Sequence, residues 1–308
     1  MVAMTATSLK NERVSRRLAA SAVCALLAAA LAAVQVLVAD RLGVHRWTTG
    51  AGPFDEYVDW DHAVTRSTWY PAASALLAAA ITYRGFRRAP WSWRWLPPAA
   101  WLGSSLIAAP LLYGLASAAP EHGIGSSPSE VVWATIVGGA VGAAAAMAAL
   151  RHREAGVGLV VYSLWISLLE FSRPWWWDRP PAFDPMLAEA VSSDDGRHVV
   201  TALLREAGGI TAGLIGPVLI SGVVAAWAAA RRGRWQSGAL AGTAGPLLLC
   251  SVYLTIDPGL SDQESMQSTL WTYAVVAVPL SLCVSTITAI AVARIIAVRK
   301  RTAGSPAA

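Results

Sequence analysis

Charge is scarce in this chain. Of its 308 residues only 14% are Asp, Glu, Lys or Arg, while 55% are apolar, and the mean hydropathy is +0.48. A water-facing globule carries roughly 25% charged residues, so a soluble fold would lack the polar surface to cover itself. Cysteine is nearly missing as well. Cys24, Cys250 and Cys283 all lie in apolar stretches, spaced for neither a metal site nor a disulfide framework, and read as small packing residues. The chain has no Walker A loop, no Gly-x-Ser-x-Gly elbow, no His-Glu-x-x-His and no paired acid motif for a diphosphate-bound metal. No metal or other cofactor is therefore expected. The histidines (His45, His62, His122, His152 and His198) fall outside the apolar segments, which argues against haem held between helices.

What the chain does have is long apolar segments, at about 18–39, 69–86, 95–119, 131–150, 156–172, 209–230, 238–256 and 270–298. A helix needs about 20 residues to cross roughly 30 Å of hydrocarbon. The expectation is an all-α polytopic membrane protein of about eight spans. One transmembrane domain covers 18–298, with a short segment 1–17 before it and a tail 299–308 after it. The second and fifth segments are short, and the last contains Pro279, which predicts a kink or an extension beyond the bilayer. Lys10, Arg13, Arg16 and Arg17 ahead of the first run give it the look of a signal sequence. Its 22 residues exceed the usual apolar core of such a signal, so a retained first span is expected.

The distribution of charge tests these boundaries independently. Segments 1–17, 84–94, 151–155, 231–237 and 294–308 together hold 17 of the 24 basic residues, with only Glu12 and Glu154 as acids. The intervening loops hold the other 17 of the 19 acids. Such alternation sets orientation, and by the positive-inside rule it places the basic side and both ends in the cytoplasm of a cell-membrane protein. It also accounts for the net charge of +5 without a nucleic-acid partner. Ser127-Pro128-Ser129-Glu130 combines an N-cap serine, a first-turn proline and a capping-box glutamate ahead of the fourth span. Pro71 is expected to play the first-turn part for the second span. Gly138/Gly142, Gly209/Gly213 and Gly238/Gly242 are small-xxx-small pairs suited to close helix approach.

Loop lengths repeat along the chain: long outer, basic inner, short outer, after span one and again after span five. Ala109-Pro110-Leu111-Leu112 resembles Gly245-Pro246-Leu247-Leu248, and Pro120 and Trp133 match Pro258 and Trp271 within two positions. Asp40-Arg41 and Glu170 with Arg173 close spans one and five alike. These matches suit a four-plus-four parallel duplication with a cavity between halves. Chance likeness among Ala-, Leu- and Pro-rich segments explains them equally well.

Candidate chemistry concentrates toward the outer face. Glu170 is an ionisable residue at membrane depth, with Arg173 one helical turn away, either a functional acid or an interfacial ion pair. Trp175, Trp176 and Trp177 form an interfacial belt or the wall of an apolar pocket, joined by Trp165 and Phe171. Asp61 and His62 end an acidic, aromatic stretch from Phe54 in the first outer loop, too closely spaced for a recognised metal signature. Two function classes follow. The first is a permease or exporter component for an apolar or amphipathic small molecule, energised by an ATPase or another membrane subunit. The second is a lipid- or isoprenoid-modifying enzyme, in which Glu170 or Asp257 protonates a substrate among aromatic faces including Tyr253, as in a terpene cyclase. An accessory subunit without a small-molecule site is a third.

Overall fold

The computed structural model describes residues 6–42, 53–86, 93–118, 127–176, 214–256 and 267–303. Among these residues the protein is helical throughout: α1 (Ala6–Arg41), α2 (Pro53–Gly85), α3 (Leu96–Ser117), α4 (Pro128–Arg151), α5 (Arg153–Trp176), α6 (Gly216–Arg232), α7 (Trp235–Ile256) and α8 (Gln267–Ala303). A single 3-10 turn, Trp93–Trp95, leads into α3. The described helices overlap the apolar segments of the sequence, and residues 209–213 of the sixth segment lie outside the described residues. Five helices, α1, α3, α4, α7 and α8, are long and apolar enough to cross a membrane. Of the other three, α2 begins with the polar stretch from Pro53, and α5 and α6 are described in full over fewer residues.

Local chemistry sets several of the ends. Ser127 caps α4 in an extended conformation, its hydroxyl accepting from the Ser129 amide at 3.3 Å, with Pro128 next in the first turn. Gly233 ends α6 at φ 66°, the left-handed conformation a helix C-cap favours. α8 runs unbroken through Pro279 and past residue 298. Two expectations are corrected. Pro71 lies inside α2, whose first residue is Pro53 instead; packing against neighbouring helices lets a membrane helix keep an internal proline. The stretch Phe54–His62 is helical rather than loop, because α2 begins at Pro53, well ahead of its apolar part.

The helices group as two sets of four. In the first, α1 packs on α2 and α3, α2 on α3 and α4, and α3 on α4. In the second, α5 packs on α6 and α7, α6 on α7 and α8, and α7 on α8. Position for position, the main pairings are the same in both sets.

Glycines set the distances within each set. A Cβ at Gly142 would stand 2.6 Å from the Cα of Ala72, and one at Gly103 would stand 2.7 Å from the Cα of Ala25. A Cβ at Gly238 would stand 2.6 Å from the Ala225 carbonyl oxygen. Backbone thus meets backbone at α2–α4, α1–α3 and α6–α7, as the small-residue spacing implies. Gly209 and Gly213 lie outside the described residues.

Contacts between ends show which loops share a side. Arg151, at the end of α4, reaches the ring of Trp93 before α3. Arg232, ending α6, bonds Glu154 in the first turn of α5. Three of the basic segments therefore meet at one end of the bundle.

Candidate functional site

The seam between the two sets is carried by α2 and α4 on one side and α5 and α7 on the other. Tyr70 of α2 stacks on Phe171 of α5 with ring centres 6.3 Å apart and planes 14° from parallel. Ala155, Leu159, Ala244, Leu248 and Val252 of the second set join the core of the first. Within the second set, Gly245 of α7 gives room to the ring of Tyr162 of α5.

α5 touches helices of both sets, and its middle is unusually polar for a buried helix. Tyr162 Oη, Ser163 Oγ, Trp165 Nε1 and Ser167 Oγ are shut off from solvent without a hydrogen-bond partner among the described residues, as is Trp69 Nε1 of α2. Tyr162 and Ser163 are fully buried. By contrast, Trp101 Nε1 of α3 donates to the Ile136 carbonyl at 3.0 Å, and Gln35 of α1 donates to Ser74 Oγ of α2 at 2.7 Å. Unpartnered side-chain atoms also occur elsewhere among the described residues, at Gln35 Oε1, Ser105 Oγ, Ser221 Oγ and Ser281 Oγ, but α5 carries four of them within six residues.

Of the residues singled out from sequence, the structure brings Phe171 to this seam, while Trp165 lies on α5 with its indole N–H shut off from solvent. Glu170, Arg173, Trp175 and Trp176 lie on the last turns of α5, which continues helically through Arg173; their side chains lie outside the described residues. So do the side chains of Asp61 and His62 on α2, and the whole of Trp177 and Asp257. Among the described residues no three His, Cys, Asp or Glu side chains group as a metal site. Sequence reading missed Tyr162, Ser163, Ser167, Trp69, Tyr70 and Gln35 because it weighed charge at membrane depth and not neutral polar groups. The signal was the run Tyr162-Ser163-x-Trp165-x-Ser167 inside an otherwise apolar segment.

Two ion pairs sit near helix ends, Glu12 with Arg16 and Glu154 with Arg232. Burial works against the charge of Glu154. Its own backbone amide, Arg232 and Arg153 outweigh that and hold its carboxyl below the ordinary carboxylate range. Compared with protein-family models, with curated proteins and with solved structures, the chain matches none of them.

Proposed function

We propose that this membrane protein is an eight-span permease or exporter component, with both ends cytoplasmic and two parallel four-helix halves that part along α5. The substrate is an uncharged, apolar or amphipathic small molecule. The observation that carries this reading is the set of unpartnered polar groups at Tyr162, Ser163, Trp165, Ser167 and Trp69. An unsatisfied polar group away from water costs on the order of 1–3 kcal/mol. Inside a set, glycine-mediated contact would make separation costly. At the seam, parting the halves would let solute or water meet groups that the closed packing leaves unpaired. The repeated helix pairing supports a duplication, and carriers built from two halves bind between them. With no nucleotide-binding loop in the sequence, energy for uphill export would come from a partner subunit.

The test is a cross-link over the seam. Tyr70→Cys and Phe171→Cys, introduced together, place two thiols where the rings now stack. Proteoliposomes would be assayed with a panel of neutral amphipathic dyes. Oxidation is expected to abolish dye flux and reduction to restore it. Equal flux in both states would overturn the reading.

One observation favours a second reading: Phe171, on the helix that carries Glu170, stacks on Tyr70 of α2. An acid there could start an isoprenoid cyclisation, the aromatic faces stabilising the cation. Product analysis after co-expression with a prenyl diphosphate supply decides it, and a Glu170→Gln chain making the same products would exclude that residue.

A further inference from the structure

The basic end of the bundle carries an arrangement that the transport reading does not use. The 3-10 turn before α3 presents Trp93, and two guanidinium groups rest on its indole, Arg94 at 5.5 Å and Arg151 at 6.0 Å from the ring centre. They come from separate elements, the entry to α3 and the last residue of α4. An aromatic face attracts a cation but does not cancel its charge. Cancelling it takes an anion, and the chain supplies few at this end. Glu12 and Glu154 are the only acids in the five basic segments. Glu12 is bound to Arg16, and Glu154 to Arg232 with Arg153 beside it. Both acids are therefore engaged elsewhere, while Arg94 and Arg151 are solvent-exposed.

We propose that Trp93, Arg94 and Arg151 form a binding site for the phosphodiester of an anionic phospholipid at this face. The chemistry fits on three counts. Guanidinium groups donate two parallel N–H bonds to phosphate oxygens. Tryptophan settles at the headgroup level of a bilayer, where the phosphates lie. Basic residues clustered where helices leave the membrane attract anionic lipids. The position adds a consequence. Only His152, in extended conformation at φ −122° and ψ 92°, separates α4 from α5. A lipid held by Arg94 and Arg151 would tie the entry of α3 to the point where the chain passes from one helix set to the other.

The experiment uses the full chain in neutral detergent, with retained lipid read by native mass spectrometry. The probes are phosphatidylglycerol, phosphatidylcholine and inorganic phosphate. The wild-type chain is expected to retain phosphatidylglycerol in preference to phosphatidylcholine. Removing both arginines (R94Q/R151Q) is expected to weaken that retention about thirty-fold, from about 1 kcal/mol per basic residue near an anionic surface. R299Q/K300Q, with the same change of charge at the end of α8, is expected to retain the lipid as the wild type does. W93L keeps both charges and loses the platform, for an expected two- to five-fold weakening, roughly the worth of an exposed cation–π contact. Equal loss in the two double variants would mean a diffuse field, and no site. Displacement of the lipid by millimolar inorganic phosphate would mean a site for free anions. Either result, or the absence of any preference for phosphatidylglycerol, would overturn the proposal.

Discussion

Alanine in place of glycine should act with opposite sign at two positions of this bundle. At Gly142 the added Cβ would stand 2.6 Å from the Cα of Ala72, a distance that real Cβ atoms do not show. The obstacle is backbone on the facing helix, so no side chain can swing aside. Helices α2 and α4 must separate, by on the order of 1 Å. A gap of that size forfeits roughly a quarter to a half of each facing atom pair's 0.1–0.2 kcal/mol. Over a few tens of pairs along the interface the loss is on the order of 1–3 kcal/mol, the range found when a packed core is overfilled. Gly114 of α3 is the counter-case, because nothing lies within 4 Å of a Cβ built there. Gly114→Ala should therefore gain the helix-propensity difference, at most about 1 kcal/mol. Thermal unfolding in one detergent, followed by intrinsic fluorescence, should place Gly142→Ala below the wild type and Gly114→Ala level with it or above. A Gly142→Ala chain as stable as the wild type would refute the close packing of α2 on α4.

The Gln35–Ser74 bond should show an asymmetric response. Ser74→Ala leaves the Gln35 amide without its 2.7 Å partner and should cost about 1 kcal/mol, whereas Gln35→Met removes both the bond and the unpaired Oε1 and should be close to neutral in the same melt. For Glu154, a carboxyl held below its ordinary value of 4.5 contributes stability that is present above that value. The contribution is lost as pH falls through the lowered folded-state value, so Glu154→Gln should lower Tm at pH 7 and match the wild type in strong acid. Tyr162→Phe removes a buried, unpartnered hydroxyl and should stabilise the closed seam by about 1 kcal/mol while reducing dye flux in proteoliposomes.

How much of this was legible in the sequence depends on which physical signal each feature leaves. Apolar length is carried by the residues themselves, so an all-helical protein with membrane-spanning helices was legible. Boundaries were legible where a side chain sets them, as at Ser127 and Pro128, and were misjudged at α2. There the polar stretch from Asp55 to His62 looks like a loop when only hydrophobicity is counted. Nothing in composition forbids it from continuing the helix, and Pro53 supplies a first-turn residue. Partners were legible only in outline. The spacing of Gly138 and Gly142 announces a close approach but does not say that Thr68 and Ala72 are what they meet. The seam was the least legible feature. Tyr162, Ser163 and Ser167 carry no charge, so they hardly stand out in a charge map, and their significance depends on which groups are left without partners after the helices pack.

That last dependence also explains why stability and transport should pull against each other at α5. In the first set, Trp101 has found a partner, and the neighbouring contacts are backbone on backbone; replacing Trp101 or filling a contact glycine loses both stability and shape. At Tyr162 the hydroxyl has no hydrogen-bond partner among the described residues, so burying it in the closed form adds a desolvation cost. A chain selected only for a stable bundle would place phenylalanine there. The hydroxyl would instead be kept for a state in which the seam is open and a solute or water accepts its hydrogen bond, so Tyr162→Phe should narrow access to that state while raising Tm. If Tyr162→Phe lowered Tm, the hydroxyl would have to be bonded in the closed form, and the seam would lose its claim to be the place where the halves part.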